Sequence, residues 1–170
     1  MKIAEFCVEF AAQIGKLQTE EERLSYVAKT LVRVFKLAAD EVAIFAFDAK
    51  TEMVSFIWPT YLRQTGAIPL SSKSSLVVRT VKNRRGYMDN QFFHSAHTFI
   101  FEAVADPQTS GGKPKPIQKV LSVPMLVDDA IKGAIQLSRK GPSSQEAGSD
   151  FTQPELDSLQ QLANVVGRHL

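Results

Sequence analysis

In residues 2–17 the apolar positions Ile3, Cys7, Phe10, Ile14 and Leu17 are spaced by four, three, four and three. That is the seam of an amphipathic helix about two heptads long. Such a seam either packs on its own domain or pairs with its copy in a homodimer. Thr19, followed by Glu20, Glu21 and Glu22, is a capping-box start for a second helix running to about Lys36. Leu24, Val27, Ala28, Leu31, Val34 and Phe35 lie on one side of that helix.

The period changes at Asp40. "EVAIFAFD" alternates around β-branched and aromatic residues, "AKT" reads as a turn, and "EMVSFIWP" reads as the returning strand. "GAIPL" at 66–70 carries a proline and predicts a brief edge strand. The serines at 71–75 cap a helix over 74–85 with Leu76, Val77, Thr80 and Val81 inward, and Gly86 is expected to stop it. "GYMDN" predicts one more short strand. "QFFHSAHTFIFEAV" is aromatic-rich, and "DPQTSGGKPKP" after it is loop by composition. The closing helix begins at Thr152 with Pro154 in its first turn, and its stripe includes Leu156, Leu159, Leu162, Ala163, Val166 and Leu170.

Between these lies "KVLSVPMLVDDAIKGAIQLSRKG", a hairpin apolar on both faces. With Asp128-Asp129 as a two-residue turn, an unbroken ladder pairs Val127 with Ala130, Val123 with Ala134 and Ser122 with Ile135. That ladder places Ser122 and Gln136 on opposite faces. A sheet with two apolar faces needs cover on both. The terminal helices suit one face, and the short helix with the aromatic stretch 91–101 suits the other. A thin cover built partly from long loops favours a pocket. The fold class expected is therefore α+β: a central antiparallel sheet of about five to six strands, with N- and C-terminal helices on one face and a short helix plus long loop on the other. A single domain spanning 1–170 is expected, with 1–18 as a possible dimerisation helix.

The order of elements, together with "IQKVLSVPMLVDDAIKGAIQLSRK" and "FTQPELDSLQQLANVV", resembles the GAF domain, a small-molecule sensor module of the PAS/GAF-like group. The resemblance implies a ligand pocket opposite the helical layer, dimerisation through terminal helices, and relay of occupancy to an output or effector partner. Cyclic-nucleotide-binding members often carry N-K…F-x-x-x-D-E. Here the matching positions are Arg139, Lys140, Phe151, Glu155 and Leu156, so only Lys140 and Phe151 agree and a cyclic nucleotide rests on an incomplete motif. Bilin-binding members attach the chromophore through a cysteine, and residues 70–140 contain none, so no covalent bilin is expected. The free methionine sulfoxide reductases, which are standalone GAF domains, need paired pocket cysteines. Cys7 is the single cysteine of the chain, so that activity is not expected.

Composition narrows the rest. The 20 Lys+Arg against 18 Asp+Glu leave a net charge of +2, which gives no bulk case for nucleic acid. A lone cysteine fits a reducing cytosol, no apolar run reaches membrane-spanning length, and the start lacks the core of a signal peptide; a cytoplasmic location is expected. His94 and His97 share a helical spacing, but no nearby Cys or His completes a metal set. Arg79, Lys82, Arg84 and Arg85 form either an anion contact at the pocket rim or a solvated helix face. Phe92, Phe93, Phe99 and Phe101 either stack on a flat ligand or fill core. The pocket candidates are thus Arg79, Phe92, Phe93, His94, His97, Phe99, Ser122 and Gln136. The dimer candidates are Ile3, Cys7, Phe10, Ile14 and Leu17 with Leu159 and Val166. No nucleophile or paired-carboxylate arrangement supports an enzyme. The expected function is a non-enzymatic sensor for an unidentified small molecule. A scaffold whose pocket is filled by its own phenylalanines is the alternative.

Overall fold

The computed structural model describes residues 2–94 and 115–170. Within them the chain runs α1 (Ile3–Lys16), α2 (Glu20–Phe35), β1 (Val42–Asp48), β2 (Met53–Trp58), β3 (Ala67–Pro69), α3 (Leu76–Asn83), β4 (Tyr87–Asp89), β5 (Ile117–Val127), β6 (Ala130–Lys140) and α4 (Gln153–Gly167). Helix starts follow the capping chemistry written in the sequence. Thr19 Oγ1 accepts from the Glu22 amide at 3.1 Å while Glu22 Oε2 accepts from the Thr19 amide at 3.0 Å. Ser75 caps α3, and Thr152 with Glu155 repeats the reciprocal box on α4. The expected stop at Gly86 is corrected: α3 ends at Asn83, and Arg84 takes the left-handed conformation (φ 54°). Gly86 serves packing instead, since a Cβ there would lie 3.1 Å from Leu156 Cδ1 and 3.3 Å from Val123 Cγ1.

The strands form one six-stranded antiparallel sheet in the order β3-β2-β1-β6-β5-β4. The 66–70 segment is an edge strand, as its proline requires. The β5–β6 hairpin turns at Asp128-Asp129 and pairs Val127 with Ala130 and Leu126 with Ile131, but the ladder then shifts. Lys132 is bulged out, so Met125 pairs with Gly133, Val123 with Ile135 and Ser122 with Gln136. From Gly133 onward every side chain of β6 is on the face opposite to the one an unbroken ladder gives it. Gly133 permits the close approach of the neighbouring strand β1 that accompanies this bulge: a Cβ there would sit 1.8 Å from the Phe45 carbonyl oxygen.

One face of the sheet presents Val42, Ile44, Leu121, Val123, Met125, Ile135 and Leu137 to α1, α2 and α4. The other presents Ala43, Phe45, Val54, Phe56, Val120 and Ala134 to α3, Leu62 and Phe92. The helical seam of α1 is used inside the chain. Phe10 and Ile14 are buried in the first of these cores, Phe10 stacks on Tyr26 with centroids 5.8 Å apart, and Ile3 and Cys7 pack against the same cluster. Leu159 and Val166 are buried there too. Phe10 and Ile14 of the seam thus pack within the chain, the first of the two uses its spacing allows, while Ile3, Cys7 and Leu17 stay partly exposed. On α1 the large apolar side chain facing outward is Val8, 71% exposed.

Helix α4 also protects the edge of β5 beyond the reach of β4. Asn164 Oδ1 accepts from the Leu126 amide (3.1 Å), and Gln160 Nε2 donates to the Pro124 carbonyl (2.8 Å), so two side-chain amides stand in for a neighbouring strand.

Candidate functional site

The candidate site is the sheet face beneath α3. Because of the Lys132 bulge, Ser122 and Gln136 are cross-strand partners on this one face, which corrects their expected separation onto opposite faces. Both are buried. Thr80, the polar position on the inner side of α3, completes the group. Its hydroxyl donates to the Leu76 carbonyl (2.9 Å), so the 2.7 Å contact between the Thr80 and Ser122 hydroxyls is donated by Ser122. Ser122 Oγ in turn accepts from Gln136 Nε2 at 3.0 Å. The result is a directed chain from the Gln136 amide through two hydroxyls to a helix carbonyl, which satisfies those hydroxyls without water. Ser138 lies one alternation further along β6 on the same face, opposite Val120. It is fully buried, and its Oγ has no hydrogen-bond partner among the described residues.

The other predicted residues scatter. Arg79 is exposed on the outer side of α3, with its guanidinium 5.2 Å from the Tyr87 ring centroid. Phe92 is buried in the core under α3. Phe93 and His94 are exposed, stand edge-to-face at 5.7 Å, and with Asn90, Gln91, Gln118 and Ser144 line a cleft of about 250 Å³. His97, Phe99 and Phe101 lie outside the described residues. Among the described residues no group of His, Cys, Asp and Glu is arranged to hold a metal. Nor is any helix among them long and apolar enough to cross a membrane.

The positions compared with the cyclic-nucleotide motif turn out to fasten a loop. Lys119 and Arg139 are buried partners across β5 and β6, on the sheet face covered by the helices. Arg139 lies 4.3 Å from the Phe151 ring centroid, pairs with Glu155 at 3.1 Å and donates to Ser149. Lys119 Nζ reaches Asp150 at 2.8 Å and the Gly148 carbonyl at 2.6 Å. These contacts tie the 141–151 loop to the sheet and are remote from α3. Sequence reasoning also passed over Glu41. Its Oε2 accepts from the Ala38 amide (2.8 Å) and its Oε1 from the Lys140 amide (2.7 Å), and burial pushes its pKa above the usual carboxyl value. An acid directly before a β-branched run is the one sequence signal for that role.

No family model matches the sequence, and no curated protein is significantly similar to it. Solved structures are similar in fold. The GAF domain of the phosphoenolpyruvate-protein phosphotransferase from Acinetobacter superposes with a TM-score of 0.69 at 14% identity, covering 99% of this chain and 94% of that one. Residues 122 to 287 of a methyl-accepting chemotaxis protein give 0.65 at 15%, covering 94% and 93%. The free methionine-R-sulfoxide reductase of Neisseria meningitidis, solved with its substrate, gives 0.65 at 13%, covering 98% and 87%. At these identities the likeness concerns the backbone, the six-stranded antiparallel sheet and its helices. The chain has the GAF fold.

Proposed function

We propose that this chain is a non-enzymatic sensor domain that holds a small molecule between the sheet and the 74–101 region and relays its occupancy through the terminal helices to an effector. The supporting observation is the Ser138 hydroxyl, fully buried on the face beneath α3 and without a partner among the described residues. Leaving such a group unsatisfied costs about 1–3 kcal/mol, and a ligand that bonds to it recovers that cost. Relay follows from strand geometry: Gln136 and Ser138 alternate with Leu137, which packs in the core under α1, α2 and α4. A ligand that binds one arrangement of this sheet better than another shifts the helices above it. A GAF-fold reductase exists, but the single cysteine of this chain is on α1, across the sheet from α3, which disfavours that chemistry.

A second reading has its own support. Phe92 is buried in the core under α3, and the Thr80–Ser122–Gln136 chain is internally satisfied, as expected of a scaffold domain that fills its own pocket. Thermal-shift screening of the purified protein with cyclic nucleotides, haem and small metabolites separates the two. A ligand at about a hundred times its Kd stabilises by about 2.7 kcal/mol, a clear rise in Tm. The absence of any shift, together with a crystal structure whose α3 face is packed solid, would establish the scaffold.

A further inference from the structure

We infer that the outer surface of α3 and the outer edge of β4 form a docking site for an acidic, extended segment of a partner protein. Arg79, Lys82, Arg84 and Arg85 are exposed, and among the described residues none pairs with a carboxylate, whereas Arg63, Lys119 and Arg139 all do. Two of the guanidiniums are pre-positioned. Those of Arg79 and Arg85 lie 5.2 and 4.9 Å from the centroid of the Tyr87 ring, and Asn83 Nδ2 holds the Tyr87 hydroxyl at 2.6 Å. Arg84 leans to the hairpin tip, donating to the Asp129 carbonyl at 2.8 Å, so Arg79, Lys82 and Arg85 make the centre of the patch. The acid within β4 itself, Asp89, accepts from the Gln91 amide at 2.8 Å.

Tyr87 belongs to β4, the outermost strand of the sheet. On its far side no strand among the described residues pairs with it. Its middle residue, Met88, is 37% exposed. An outermost strand, the apolar side chain of Met88 and the cations beside them match a peptide that adds as a strand and carries acidic side chains. The same cations oppose a second copy of this chain, because edge-to-edge pairing would bring two basic clusters together. Nucleic acid needs no strand edge and gains from a longer basic track than this chain of net charge +2 provides. This inference does not need the proposed pocket: Tyr87 packs at the margin of the core under α3, but the cations that carry the patch are exposed and outside it.

Fluorescence anisotropy with a labelled decapeptide of alternating Glu and Val tests it. The expected result is saturable binding that weakens with salt, falls at least about tenfold in the Arg79→Ala/Arg85→Ala variant, and disappears for the Lys/Val counterpart or for a backbone N-methylated copy. Hydrogen exchange should report protection at residues 87–89 on binding. Lys82→Glu supplies the same comparison should the double variant not fold. No binding of the Glu/Val peptide, equal binding by the N-methylated copy, indifference to the substitutions, or tighter binding of oligothymidylate would each overturn the proposal.

Discussion

Gly133 is the residue on which the arrangement beneath α3 depends. A single methyl group there meets the Phe45 carbonyl oxygen at 1.8 Å, a backbone atom of the neighbouring strand that has nowhere to go. Gly133→Ala should therefore destabilise by about 2–4 kcal/mol in urea unfolding; a loss no larger than that of an exposed substitution would mean the β1–β6 approach is looser than described. Glu41 makes a different kind of demand. Burial raises its folded pKa, so the folded chain keeps that proton to higher pH than the unfolded chain does. The stability tied to the protonated carboxyl is complete below the ordinary value and is lost as pH rises through the raised one. Glu41→Gln cannot ionise, so the variant's stability relative to the parent should climb across that window and be level on either side. Glu22 and Asp48, whose carboxyls are held low chiefly by hydrogen bonds from backbone amides, titrate alike in both proteins and cancel from the difference. A flat difference through the window would show that Glu41 does not titrate there.

At the scale of elements, the α1 seam yields the clearest test. Phe10 is buried within its own chain, so Phe10→Ala should cost about 3–5 kcal/mol and leave the sedimentation behaviour of the remaining folded protein unchanged. A variant that is as stable as the parent but shifts from dimer to monomer would restore the interface role. The α4 edge cover gives a second: Asn164→Ala strips the acceptor from the Leu126 amide and should cost about 1–3 kcal/mol, with faster exchange at that amide. What was legible in the sequence divides along a physical line. Caps at Thr19, Ser75 and Thr152 and the succession of strands along the chain are local chemistry and were readable. The β5–β6 register was not, because the bulge at Lys132 goes with the close approach of the neighbouring strand β1 to Gly133, a contact about ninety residues away in sequence. A lone glycine inside a strand was the available warning. The use of the α1 seam was not readable either, since a helix covering its own sheet and one pairing with its copy have the same period.

At the scale of the molecule, one sheet separates two unequal cores: a large one under three helices, and a smaller one under α3 that carries the polar side chains Thr80, Ser122, Gln136 and Ser138. Ser122 and Gln136 were visible in the sequence as isolated polar positions on apolar strands. Ser138 was masked by the charged residues that follow it in "SRK". The two are energetically opposite. Ser122 is bonded on both sides, so Ser122→Ala leaves Gln136 without its acceptor and should destabilise by about 1–3 kcal/mol. Ser138 has no partner among the described residues, so Ser138→Ala removes a desolvated hydroxyl and should stabilise the ligand-free protein by about 1–3 kcal/mol. A side chain that costs stability at rest and is kept in a buried strand is what a binding site requires, because function and stability compete there. Paired urea titrations of the two variants decide the matter. If Ser138→Ala loses as much stability as Ser122→Ala, the hydroxyl has a structural partner in solution, and the case for a ligand on this face loses its main support.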